Sequence, residues 1–403
     1  MKNINVTINP TKGFRTAIKS LYKVVSKEKL TDLRQLKVQM ANGKLTFSTF
    51  SSAGATVSVS PLTSADSTED FSVILSDGVA AATLLKNLAD RSLLFMTIYD
   101  REVDIEDKRF AISTGGEPAP IISSSGLDEV KAYPVDGKEF RTKLNWASKA
   151  SGRLDVRYYL NGVAFVDSLI VATDGSRLHR AEIKSVTDIA PKSERMSIIP
   201  NDTIKLILLS LPTTFKETVK LQWMLDSEAA MYAEGREGVV VSATYPCGAE
   251  ILIASPLIDG KFPQWERIVP KSHERSSISG GTKAFASMIK AMSAYYLPKA
   301  SVENPSAVKL SSKGDVALMV SSKSAGSSYK EVYSACMSDF DINKTFSIRN
   351  EDTFASINMK YVKEALPPEG MVTMYLPEYP VDATLMTSGE YLAVMMPIRV
   401  KVS

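Results

Sequence analysis

Apolar residues recur along this chain at two distinct periods. After Lys12 they fall three and four apart, at Phe14, Ile18, Leu21 and Val25, which is the stripe of an amphipathic helix. The spacing returns at Phe140, Leu144 and Ala147, and again at Phe285, Ile289, Met292 and Tyr296. Between the stripes lie short apolar runs bounded by turn residues, at 44–50, 55–60, 162–166, 169–173 and 317–321, and these predict strands. A second helix is predicted in each third: 78–88 after Asp77, 203–211 after the cap-like Asn201 and Asp202, and 358–366 before Pro367 and Pro368. Further strands are predicted at 94–99, 220–225, 238–243 and 371–376. The unit reads helix, strands, helix, strands.

The three stripes open on related pentapeptides, Lys12-Gly13-Phe14-Arg15-Thr16, Lys138-Glu139-Phe140-Arg141-Thr142 and Lys283-Ala284-Phe285-Ala286-Ser287. Their phenylalanines are 126 and 145 residues apart, a domain's length rather than a solenoid repeat's. The pattern predicts an α+β chain of three similar domains, each with antiparallel sheets and two helices. The Ser-rich stretch 122–126 and the polar stretch 271–281 place boundaries near Gly126 and His273, giving domains 1–126, 127–272 and 273–403.

Composition narrows the class. The 403 residues are 44% apolar with a net charge of +3, which excludes a disordered tail and leaves a core for each domain. Cys247 and Cys336 form no disulfide framework and match no metal-ligand spacing. The beginning MKNINVTINPTKGF has no signal-peptide core, and no apolar run approaches the ~18 residues of a membrane span. A reducing cytoplasm is expected.

The positive charges are not scattered. Lys12, Arg15, Lys19 and Lys23 share the face opposite the first apolar stripe. Lys138, Arg141 and Lys149 follow in the second repeat, Lys283 and Lys290 in the third, and Lys86, Lys205, Lys360 and Lys363 on the second helices. One such face is an ordinary solvated surface. Three at equivalent places predict a basic track that suits phosphate backbones without reading sequence. The small net charge is then a difference between this surface and acidic segments such as 100–107.

Chemistry-bearing motifs are few. Asp174, Ser176 and His179 lie close together but without a Gly-x-Ser-x-Gly elbow, and the chain has only two histidines, His179 and His273. No Walker A loop or Gly-x-Gly-x-x-Gly turn follows a strand. No enzyme, metal site or cofactor is expected, and Trp146, Trp223 and Trp265 read as packing residues rather than base-stacking platforms.

Three segments carry a family resemblance: Asp155-Val156-Arg157-Tyr158-Tyr159-Leu160-Asn161-Gly162 with Thr173-Asp174-Gly175-Ser176-Arg177-Leu178, then Asp259-Gly260-Lys261-Phe262-Pro263 with Arg267-Ile268-Val269-Pro270, and the closing Met395-Met396-Pro397-Ile398-Arg399. In this order the chain resembles the bacterial sliding clamps, the β subunits of DNA polymerase III. Over the first ~125 residues the likeness rests on the repeats and on Arg109-Phe110-Ala111-Ile112.

The resemblance implies a head-to-tail homodimer closed into a ring of six similar domains, in which helices face duplex DNA and a replisome at the nucleoid is served. It implies a cleft for short peptides of the polymerase, the clamp loader and other proteins. That cleft would be lined by Arg157, Leu160, Thr173, Gly175, Arg177, Leu178, Pro263, Arg267 and Ile268. Asn358, Tyr361, Val394, Met396, Pro397, Ile398 and Arg399 would join them, with Tyr296 matching more loosely. Tyr159 would stand with the DNA-facing residues, and Phe110 and Ile112 at the dimer edge. Apart from the family match, the Met-Met-Pro-Ile run reads as a core strand. Departures from the family pattern are Ser176 where His is common, Asn201 and Asp202 where basic residues are common, Lys290 near an apolar dimer position, and the added 401–403. The rival reading is a non-ring scaffold that binds duplex or single-stranded DNA.

Overall fold

Each predicted stripe folds as a helix, and in each third a strand leads into it. In chain order the helices are α1 (Lys12–Lys27), α2 (Gly78–Leu88), α3 (Gly137–Ala147), α4 (Asn201–Ser210), α5 (Thr282–Tyr296) and α6 (Met359–Ala365). The strands Ile4–Ile8, Ala132–Asp136 and Ser277–Gly281 precede α1, α3 and α5. The computed structural model describes residues 4–8, 12–27, 34–51, 54–61, 63–65, 70–75, 77–88, 94–98, 102–106, 111–118, 130–191, 196–225, 237–272, 275–296, 306–310, 316–320, 330–334, 340–343, 353–377 and 382–397. The expected boundaries near Gly126 and His273 lie outside these residues.

The chain divides into two compact units. The first comprises residues 1–141, 165–168 and 185–259 and contains α1, α2 and α4. Phe14, Ile18, Leu21 and Val25 of α1 are each at most 1% exposed, and each such burial is worth ~2 kcal/mol. Lys19 and Lys23, on the other side of the helix, are exposed. Ser20 Oγ donates to the Leu209 carbonyl over 3.1 Å, tying α1 to α4.

Thirteen strands of this unit form one sheet. Glu250–Pro256 pairs antiparallel with Thr56–Ser60, setting Leu252 opposite Ser58, and Lys44 and Glu250 form an ion pair beside this seam. Its inward positions, among them Phe47, Val57, Val59, Val239 and Ile253, are at most 2% exposed. Asp77 caps α2, its Oδ1 accepting from Ala80 N over 2.8 Å. Asn201 and Asp202 do not cap α4. Pro200 holds the entry with φ −59° and ψ 147°, so these two residues form the first turn, where the Asp202 carboxylate is favoured by the helix dipole.

The second unit comprises residues 142–164, 169–184 and 260–403 and contains α5 and α6. Leu169–Thr173, Arg177–Glu182, Tyr391–Met395, Thr384–Ser388, Met371–Tyr375, Ser277–Gly281 and Phe340–Asn343 lie side by side in one sheet, each antiparallel to the next. Arg177 stands opposite Met395 and His179 opposite Ala393. Phe285 of α5 meets Phe340 edge to face, centroids 5.0 Å apart. A second sheet orders Lys330–Ser334, Val316–Val320, Ser306–Leu310 and Thr353–Ile357. Trp146 and Trp223 are buried, their indole N–H groups donating to Ala365 O over 3.0 Å and to Ile189 O over 2.8 Å.

Candidate functional site

The turn between Leu169–Thr173 and Arg177–Glu182 is built by its own side chains. Asp174 Oδ1 accepts from Ser176 N over 2.9 Å and from Arg177 N over 3.0 Å. Thr173 Oγ1 donates to Arg177 O over 2.6 Å and accepts from Gly175 N over 3.1 Å. Gly175 has φ +86°, and a Cβ there would lie 2.8 Å from both terminal nitrogens of Arg157. A glycine is required for both reasons. Beyond the turn, Met396 N donates to Ser176 O over 2.9 Å, which extends the wall along the closing strand.

Arg177 is 7% exposed. Its Nε donates to Asp174 Oδ2 over 3.0 Å and Nη2 to the Lys149 carbonyl over 2.5 Å. Nη1 is paired with Glu364 Oε2, and the guanidinium lies over the Tyr361 ring, 4.3 Å from its centroid. Burial raises the Tyr361 hydroxyl pKa, with Asp174 adding to the effect. Burial lowers the Lys149 ammonium pKa, against the pull of Glu364.

Arg157 makes a two-pronged contact with Asp155, Nε to Oδ1 over 3.0 Å and Nη2 to Oδ2 over 2.8 Å, and reaches the Asp174 carbonyl over 3.1 Å. These side-chain bonds, helped by Arg157 N, hold the Asp155 pKa at about 2. Asn161 clamps the loop, accepting from Asp155 N over 2.9 Å and donating to Asp155 O over 2.8 Å.

Together these groups enclose a cavity of about 210 Å³ in the second unit. It is lined by Arg157, Tyr159, Leu160, Thr173, Gly175, Arg177, Leu178, Pro263, Gln264, Trp265, Ile268, Val394 and Met396. Ten of the expected cleft residues therefore converge. Arg267 lies exposed on the same 3₁₀ turn, Trp265–Ile268, without lining the cavity, and Pro397 is half-buried outside it. Tyr361 acts through Arg177. Asn358 caps α6, its Oδ1 accepting from Lys360 N over 2.9 Å. Ile398 and Arg399 fall outside the described residues, as does the side chain of Tyr296.

Three lining residues were not anticipated. Tyr159, grouped with the DNA-facing residues, lines the cavity, because the 3₁₀ turn Tyr158–Leu160 brings it against Gly260, where a Cβ would lie 2.8 Å from its own. Gln264 and Trp265 enter with Pro263. Trp265 is 8% exposed and so also a packing residue; its place in sequence, two after Pro263 and three before Ile268, was the available signal.

The basic residues fall into several environments. Lys138, Lys283, Lys290, Lys360 and Lys363 are exposed, like Lys19 and Lys23. Lys205 is paired with Asp202 over 2.7 Å. Lys86 sits over the Tyr22 ring at 3.8 Å. Arg15 is half-buried, and Arg141 Nε donates to Leu211 O over 2.5 Å. Lys149 belongs to the cleft network. The side chains of Lys12 and Ile112, and all of Phe110, lie outside the described residues.

No protein-family model matches the chain. Over 332 residues, 79% of this chain and 80% of the relative, it is 25% identical to the Beta sliding clamp of Rickettsia bellii. A 149-residue stretch, 36% of this chain and 35% of the relative, is 27% identical to the Beta sliding clamp of Pseudomonas aeruginosa. The crystal structure of the DNA polymerase III subunit beta from Pseudomonas aeruginosa matches with a TM-score of 0.75 at 18% identity, covering 98% of this chain and 100% of that one. The fold is that of the sliding clamps. Within that class, the chain is a divergent relative of the bacterial DNA polymerase III β subunit.

Proposed function

We propose that this chain is a DNA sliding clamp, a processivity factor that acts without catalysis of its own. Two copies associate head to tail into a ring of six similar domains, with repeat limits near residues 126 and 272, and duplex DNA passes through the ring. The observation that carries this reading is the cleft. The motifs on which the sequence resemblance rests, far apart in the chain, converge there on one largely apolar cavity of the kind that takes a short peptide. Polymerase, clamp loader and other partners dock there through such peptides. Met396 gives the wall an adaptable surface, and Leu160, Leu178, Ile268 and Val394 give it apolar area.

The exposed lysines of α1, α3, α4, α5 and α6 suit the other half of the task. Sliding needs contacts that are sequence-blind and individually weak, which dispersed ammonium groups on flexible stems supply. Head-to-tail contacts close into a ring only when the rotation between copies permits it. The test is retention after loading. The protein is expected to stay on nicked circular duplex DNA and to run off once the circle is cut, and equal retention on both forms would overturn the ring.

A further inference from the structure

We infer that the cleft is blind to charge: it selects its peptide by apolar side chains and backbone geometry, and Glu364 is the positioning residue that keeps it so. The inference rests on the peptide-binding reading above. Arg157 and Arg177 are the two charged residues that line the cavity, and both are already committed. Arg157 is held by both oxygens of Asp155. Arg177 spends Nε on Asp174, Nη1 on Glu364 and Nη2 on the Lys149 carbonyl, while Tyr361 covers the guanidinium face. With the half-buried Lys149 counted, two cations meet two carboxylates around the wall, and Arg157 with Asp155 makes a further neutral pair.

An acidic peptide residue entering this site finds no unspent positive charge. To reach either guanidinium it must displace a carboxylate already in place, so one ion pair is exchanged for another with no net Coulomb gain. Glu364 is decisive because it comes from α6, 187 residues after Arg177, whereas Asp174 and Asp155 belong to the local turns. Glutamine at 364 keeps the shape and an acceptor for Nη1 but leaves the wall one positive charge in excess. The variant should then favour a negative ligand.

The test uses the full chain and two acetylated pentapeptides of equal Leu and Phe content, differing only by Asp or Asn at the centre. Wild type is expected to bind both within about twofold, at about 50 mM and at about 300 mM salt alike. E364Q is expected to prefer the Asp peptide about fivefold at low salt, with the preference shrinking at high salt. A merely structural Glu364 would change both affinities together. A wild-type preference of about tenfold for Asp, or no shift in E364Q, overturns charge blindness and leaves the cleft in place. Binding of neither peptide overturns the cleft reading and this inference with it.

Discussion

The imidazole of His179 lies face to face on the indole of Trp146, ring centroids 4.4 Å apart and planes 19° from parallel. His179 is 0% exposed. Its Nδ1 stands 3.0 Å from the Trp146 carbonyl and Nε2 has no partner among the described residues, so the neutral ring with its proton on Nδ1 satisfies the geometry. This histidine follows Arg177 and Leu178 on the strand that walls the cleft, and its job there is packing.

Burial pushes the His179 pKa down from 6.5 to about 3, with nearby Arg177 and Lys149 acting in the same direction and the Trp146 carbonyl opposing. A depressed folded pKa means that the unfolded chain binds the proton first. The stabilisation is fully present above pH 6.5 and is lost as pH falls toward 3, at up to about 1.4 kcal/mol per pH unit. Asp155 and Glu390 are held below their usual 3.8 and 4.5, so their losses come at lower pH. Urea unfolding between about pH 5 and about pH 7.5 is expected to show the slope in wild type, and His179→Phe is expected to flatten it. An equal slope in the variant would assign the linkage to another group.

Gly175 and Gly43 separate two costs of adding a methyl group. Both have positive φ, +86° and +73°, but a Cβ at Gly175 meets Arg157 at 2.8 Å whereas one at Gly43 meets nothing within 4 Å. Gly43→Ala is therefore expected to cost only the left-handed strain, ~1 kcal/mol. Gly175→Ala bears the same strain and also drives Arg157 away from Asp155. Thermal melts are expected to fall in both variants, and peptide affinity to fall about tenfold in Gly175→Ala alone. Unchanged affinity there would mean that the Arg157 position does not shape the cleft.

The helices were legible because each repeats an apolar stripe over three or more turns: Phe14 to Val25, for instance, lies wholly in the core of the first unit. The strands leading into α1, α3 and α5 were not. They are five residues each, and Pro134 and the pair Gly280-Gly281 give two of them the composition of turns. Pairing partners were equally hidden, since Arg177 finds Met395 and Leu252 finds Ser58 across sequence gaps that no local period encodes. The cleft's own motifs could be read in order along the chain. What they could not disclose is that Arg177 is spent on Glu364 and Asn358 on a helix cap, because those commitments exist only once α6 is folded against the turn.

Asp202 offers a test of the DNA-facing assignment that adds function rather than removing it. Its Oδ1 lies 2.7 Å from Lys205 Nζ, and the two side chains are 62% and 70% exposed, a pair that contributes little to stability. As a local counterion, however, Asp202 holds one lysine of α4 back from any phosphate. Asp202→Asn is expected to raise affinity for duplex DNA about two- to tenfold and to steepen the slope of log affinity against log salt by about one. Lys205→Ala is expected to weaken binding in the wild-type background little, because that charge is already partnered, and to abolish the gain when combined with Asp202→Asn. Alanine at Lys19 and Lys23, which are exposed on neighbouring α1, is expected to flatten the same slope by about two. An Asp202→Asn variant with unaltered slope would place α4 away from the DNA, whatever the lysines of α1 do.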